Sequence, residues 1–195
     1  MKRNHRRLLF AIGALGLFVS PVAAGAATSN TTISSVVSPV IGVFTSGPTV
    51  NVNVLPSGAG AQSINSDTVT VSTNDAAGYT LQLEDADANT YLASGGDQIV
   101  ASAGTHAAPV VAAANTWGYH VDGGAFTGIG SVVASQPVGA LKFAGVPANG
   151  APDTLKTTAV VAVSDTTAVW YMVYANTSTP AGTYTDIVTY TATAN

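Results

Sequence analysis

Two histidines lie beyond the first 27 residues, His106 and His120. His120 and Asp122 flank Val121, so on a β-strand they share one face, a base beside an orienting carboxylate. No serine occupies a Gly-x-Ser-x-Gly elbow that would supply a nucleophile. The expected role of the pair is therefore a solvent-facing strand end. Asp85 and Asp87, beside Glu84, are a close pair of carboxylates of the kind that glycosidic acid–base chemistry uses. They fall in a loop with no aromatic-lined cleft around them, which is the setting of a solvated turn. Asp85-Ala86-Asp87-Ala88-Asn89 also places oxygen ligands at alternate positions, as calcium loops do. Thr90 stands where such a loop has its sharp-turn glycine, and Gly96 where it has a bidentate glutamate, with Asp97 as a substitute next to it. No catalytic, cofactor-binding or metal-ligating residue is assigned on this basis, and calcium at Asp85, Asp87 and Asn89 stays an open question.

Other side chains offer weaker chemistry. Trp117 and Tyr119 share one strand face, and Trp170, Tyr171 and Tyr174 lie close together. An exposed row of these rings would form a platform for sugars, but two tryptophans are also what the core of a domain this size requires. Thr189, Thr191 and Thr193 alternate along the last strand, as outward-facing strand residues do. An isopeptide cross-link from Lys142 or Lys156 would want an asparagine on the last strand, which offers only Asn195.

The elements that must position these groups follow a leader. Lys2, Arg3, Arg6 and Arg7 precede an apolar run from Leu8 to Val19, which Ser20-Pro21 ends and small residues through Ala27 follow. That is the layout of a secretory signal peptide over residues 1–26, and the small residues favour cleavage over retention as a membrane anchor. Four of the six basic residues lie in this leader, leaving Lys142 and Lys156 against ten acids, a net charge of −8. Such a chain repels phosphate backbones and anionic lipid, so nucleic acid is not an expected partner and the mature chain is not membrane-embedded. There is no cysteine, which excludes thiolate chemistry and disulfides.

Downstream, residues 27–48 read as a Ser/Thr-rich arm or edge strand, and residues 49–195 as one β-domain. Valine alternates with polar residues over Thr49–Leu55 and Asp67–Thr73, and apolar side chains alternate again over Tyr79–Glu84. This is the pattern of antiparallel strands with one wet face. Asn74 to Gly78 is expected to join the last two runs as a hairpin loop, with Gly78 at positive φ. Further strands are expected over Trp117–Val121, Gly139–Phe143, Thr157–Val163, Ala168–Tyr174 and Thr183–Ala192. The run Val169–Tyr174 is apolar on both faces, which predicts a central or covered strand. Asp85 to Asn115 reads as short strands within a long loop. The expected class is all-β, an antiparallel β-sandwich.

Three phrases carry a resemblance: Ser72-Thr73-Asn74 through Gly78-Tyr79-Thr80-Leu81, Asn115-Thr116-Trp117-Gly118-Tyr119, and Pro180-Ala181-Gly182-Thr183-Tyr184-Thr185-Asp186-Ile187-Val188-Thr189-Tyr190-Thr191-Ala192. Together they resemble a group of small secreted bacterial surface proteins. The last phrase is similar to the closing strand of pilin-like and spore-coat-type sandwich subunits. The resemblance implies an immunoglobulin-like or pilin-like sandwich, exported to the cell surface or beyond, with no catalytic residue. It implies a structural or adhesive subunit whose partners are itself, other surface proteins or extracellular glycans. A glycan-binding module is the alternative. For assembly, the arm from Thr28 to Val37, with Ile33 and Val37 on one face, is the candidate donated strand.

Overall fold

The structure is a computed structural model describing residues 25–126 and 141–195. The signal-peptide reading falls almost wholly on residues 1–24, outside the described residues. The chain divides into two units, Met1–Val36 and Val37–Asn195. In the first, residues 25–36 form neither helix nor strand, and their side chains are exposed.

The second unit is all-β. Its strands are β1 (Ile41–Phe44), β2 (Ala61–Thr73), β3 (Tyr79–Asp85), β4 (Leu92–Ser94), β5 (Asp97–Ala101), β6 (Val110–Val111), β7 (Thr116–Val121), β8 (Lys142–Phe143), β9 (Asp153–Thr157), β10 (Ala162–Ala175) and β11 (Val188–Ala194). They form a six-stranded sheet in the order β1-β2-β10-β7-β5-β4, a three-stranded sheet β11-β3-β9 and a small sheet β6-β8. Pairing is antiparallel except between β5 and β7, which run parallel.

Alternation decides which face each strand buries. Val69 and Val71 of β2, Tyr79, Leu81 and Leu83 of β3, Trp117 and Tyr119 of β7, and Val169 and Tyr171 of β10 form one core between the two larger sheets. At roughly 1.5–3 kcal/mol for each fully buried large apolar side chain, this layer supplies most of the cohesion. Val169, Tyr171 and Val173 of β10 face that core, while Trp170, Met172 and Tyr174 pack with Ile64, Leu141 and Phe143 on the opposite side. β10 thus lies between β2 and β7 with both faces covered, as its doubly apolar run predicts.

Several expectations need correction. Asn74 to Gly78 is not a hairpin loop: β2 and β3 belong to different sheets, so the segment crosses between them. Gly78 does take a positive φ of 84°, and a Cβ there would collide with the Thr158 carbonyl oxygen. Thr49–Leu55 belongs to no strand. Val50, Val52 and Val54 pack on the core while their neighbours face water, so the side-chain pattern is satisfied without a ladder. Residues 158–161 connect β9 to β10, so the strand expected over Thr157–Val163 is seen only at its two ends, and Val160, Val161 and Val163 are exposed. Thr183–Ile187 is irregular, and β11 begins only at Val188. Residues 139 and 140 lie outside the described residues, and the strand expected there is seen only as β8.

Candidate assembly edge and buried polar pairs

β1 pairs with β2 alone and β11 with β3 alone, so each leaves one side of its backbone unpaired among the described residues. Between them runs a groove of about 540 Å³ lined by Val43, Phe44, Thr45, Val188, Thr189 and Tyr190. Phe44 is 66% exposed, and Val37 and Val40 just before β1 are 79% and 68% exposed. Two polar clamps hold this edge. The Asn74 side chain accepts the Val40 N–H at 2.7 Å and donates to the Ser38 carbonyl at 3.1 Å. Buried Asp67 accepts the N–H and hydroxyl of Ser46 on one oxygen, at 2.9 and 2.7 Å.

Hydroxyl bridges join the two larger sheets. The Tyr79 hydroxyl of β3 donates to Asp165 of β10 at 2.8 Å, and Lys156 of β9 donates to the other Asp165 oxygen at 2.6 Å. Burial works against ionised Asp165, but the bonds from Lys156 and Tyr79 outweigh it and hold the carboxyl below its ordinary value. The Tyr119 hydroxyl of β7 donates to Asp153 of β9 at 2.7 Å. With that proton committed, its oxygen accepts from His106 Nδ1 at 3.0 Å, which assigns the His106 proton to Nδ1. Tyr171 and Tyr190 share a bond of 2.7 Å across the same interface. Burial, then the adjoining oxygens, raises the pKa of Tyr79, Tyr119 and Tyr171 above the ordinary phenol value, while at Tyr190 burial prevails over the opposing bond from Tyr171. None of these bridges is visible in local sequence spacing, because the partners lie on different segments of the chain, from 9 residues apart for Lys156 and Asp165 to 86 for Tyr79 and Asp165.

The residues singled out by sequence are placed as follows. His120 is not a solvent-facing strand end: it is 1% exposed, because Phe126 and Phe143 cover the outer face of β7. Its Nδ1 lies 2.8 Å from the Lys142 carbonyl, while Nε2 is 3.6 Å from Asp122, beyond hydrogen-bond range. Trp117 is 3% exposed, stacks on Tyr171 and donates to the Thr90 carbonyl at 3.0 Å. It is a core residue, and no sugar platform can include it. Trp170 is half-buried on the second cluster. Thr189, Thr191 and Thr193 do face outward. Asn195 bonds Thr80, Ala77 and Thr158, so Lys156 meets Asp165 instead, as an ion pair.

The loop after β3 differs from the solvated turn expected of it. Asp85 is completely buried. Its Oδ1 accepts the Asp87 N–H at 3.0 Å, and Oδ2 has no hydrogen-bond partner among the described residues. Asp87 and Asn89 are exposed, Asp87 accepting the Asn89 N–H at 2.6 Å. The chain before β11 closes over this loop through Ala86 N–H to Ile187 C=O, which brings Asp186 against Asp85. Burial raises the Asp186 carboxyl to about 7 against a lowering bond from Ile187 N–H, and the facing Asp85 and the charge of Asp87 raise it further. Local spacing paired Asp85 with Asp87, whereas the fold pairs it with Asp186. Compared with known proteins, the chain matches no family model, no curated protein and no solved structure.

Proposed function

We propose that this protein is an exported, non-enzymatic β-sandwich of immunoglobulin-like or pilin-like type that serves as a structural or adhesive subunit at the cell surface or outside it. The observation that carries the reading is the apolar, backbone-unpaired edge at β1 and β11, in a chain whose preceding segment holds Ile33, Val36 and Val37 in water. Exposed edges are normally blunted by charge, proline or a covering loop, and lysine above all is missing here. An extended segment adding to such an edge gains main-chain hydrogen bonds for affinity and alternate side-chain contacts for register. Residues 28–37 of a second copy are the proposed occupant.

Sizing chromatography and electron microscopy of the purified protein test this. Assemblies that dissolve on deletion of residues 28–37, or on Phe44→Asp, are the expected result. A strictly monomeric protein that the deletion leaves unchanged overturns it. The glycan-binding alternative has lost Trp117, Tyr119 and Tyr171 to the core and retains the half-buried Trp170 and Tyr174.

A further inference from the structure

A buried carboxylate without a donor or a counter-charge is costly, and a protein removes that cost with a hydrogen bond, a proton or a cation. Asp85 is 0% exposed, and its Oδ2 has no hydrogen-bond donor among the described residues. The group that faces it is a second carboxylate, Asp186, whose own buried Oδ2 is also without one. The Oδ1 atoms are already occupied, by the Asp87 N–H on Asp85 and by the Ile187 N–H on Asp186. Main-chain donors therefore hold both carboxyl groups in place, while the remaining oxygens lie against each other, where one shared proton or a cation can join them. Glu84 and Asp87 add negative charge on the same loop, with Glu84 turned to the Gly150 N–H. Of the two lysines among the described residues, Lys156 holds Asp165 and Lys142 lies on β8.

We propose that Asp85 and Asp186 anchor a hard divalent cation of the calcium class, at the point where the loop after β3 meets the chain leading into β11. Oxygen-only ligands and converging negative charge select such an ion over softer metals. Among the described residues no three His, Asp or Glu side chains already converge as a metal cage. The site is accordingly a partial one, in which two carboxylates are held in place and Asp87, main-chain oxygen or water would complete the shell. That places it at the weak end of calcium affinities, with Kd on the order of 10⁻⁴–10⁻³ M. The ion would fasten the start of the last strand to the end of β3. This inference does not depend on the assembly reading.

The test is calcium titration calorimetry on the full-length protein after treatment with a chelator, with thermal unfolding followed in parallel. Saturable binding below about 10 mM calcium, with Tm raised by a few degrees, is expected. Asp186→Asn, which offers Asp85 a neutral amide donor, should fold, abolish the binding and leave Tm insensitive to calcium. No binding by the wild type overturns the proposal and leaves the pair sharing a proton only. Retained binding in Asp186→Asn overturns it as well. Should that variant fail to fold, amide chemical shifts of the labelled wild-type protein locate the ion: shifts centred on Asp85 and Asp186 support the site, and shifts centred elsewhere refute it.

Discussion

Two pairs of half-buried or buried carboxylates among the described residues differ in what faces them. Asp153 and Asp165 lie between the large sheets, and each receives a tyrosine hydroxyl from the opposite sheet. Asp85 and Asp186, at the junction of β3 and β11, face each other. In the first setting the carboxylate is an acceptor that completes a donor, so it joins the sheets. In the second two acceptors meet, and the structure is finished only by something positive. Whether a buried acid is a structural pin or a binding site thus depends on its partner's chemistry rather than on its depth.

The largest effect expected from this contrast is at high pH. The four bridging tyrosines have folded-state ionisation above the ordinary value of 10.0. Below that value both folded and unfolded states keep their protons and the bridges contribute fully. Above it the unfolded chain loses protons that the folded chain retains, so stability falls steadily as pH rises. Urea unfolding at rising pH, followed together with tyrosinate absorbance, should show ionisation and unfolding occurring as one event. Tyrosinate forming in protein that remains folded would break the account.

Single substitutions sharpen it. Tyr119→Phe removes a donor from Asp153 and strands the His106 N–H, at a cost of about 2–3 kcal/mol in denaturant unfolding. Tyr79→Phe should cost less, about 1 kcal/mol, because Asp165 keeps Lys156 and remains partly in water. Lys156→Met is the smallest, within about 1 kcal/mol, since both members of that ion pair are roughly a third exposed. If Tyr119→Phe cost no more than Lys156→Met, the distinction between pinned and facing carboxylates would lose its energetic basis.

Much of the strand content was legible in the chain, for a physical reason that also marks the limit. Alternation at Val69 and Val71, at Tyr79, Leu81 and Leu83, and along both faces of β10 reports which side of a strand leaves water, and those faces are the ones buried. It does not report which strand lies alongside. Thr49–Leu55 has the pattern and no ladder, and Asn74–Gly78 has a turn's composition yet crosses between sheets. His120 misled in the opposite direction, because the cover over its face comes from Phe126 and Phe143 rather than from its own strand. Asp85 was legible as a candidate ligand from Asp-Ala-Asp-Ala-Asn. Its facing partner was not, since Asp186 reaches it only through the pairing of β3 with β11.

The pairing of β2 with β10 runs from Ala61 opposite Ala175 to Thr73 opposite Ala162. Every residue between Thr73 and Ala162 must therefore be made before the longest ladder in the molecule can close. Topologies dominated by such distant pairings fold slowly, because the entropy of closing the loop is lost before any contact repays it. Until β10 arrives, β2 is an alternating valine strand without its long neighbour. A chain with this order of events stays threadable for most of its synthesis and becomes resistant to unfolding only when its last third is complete.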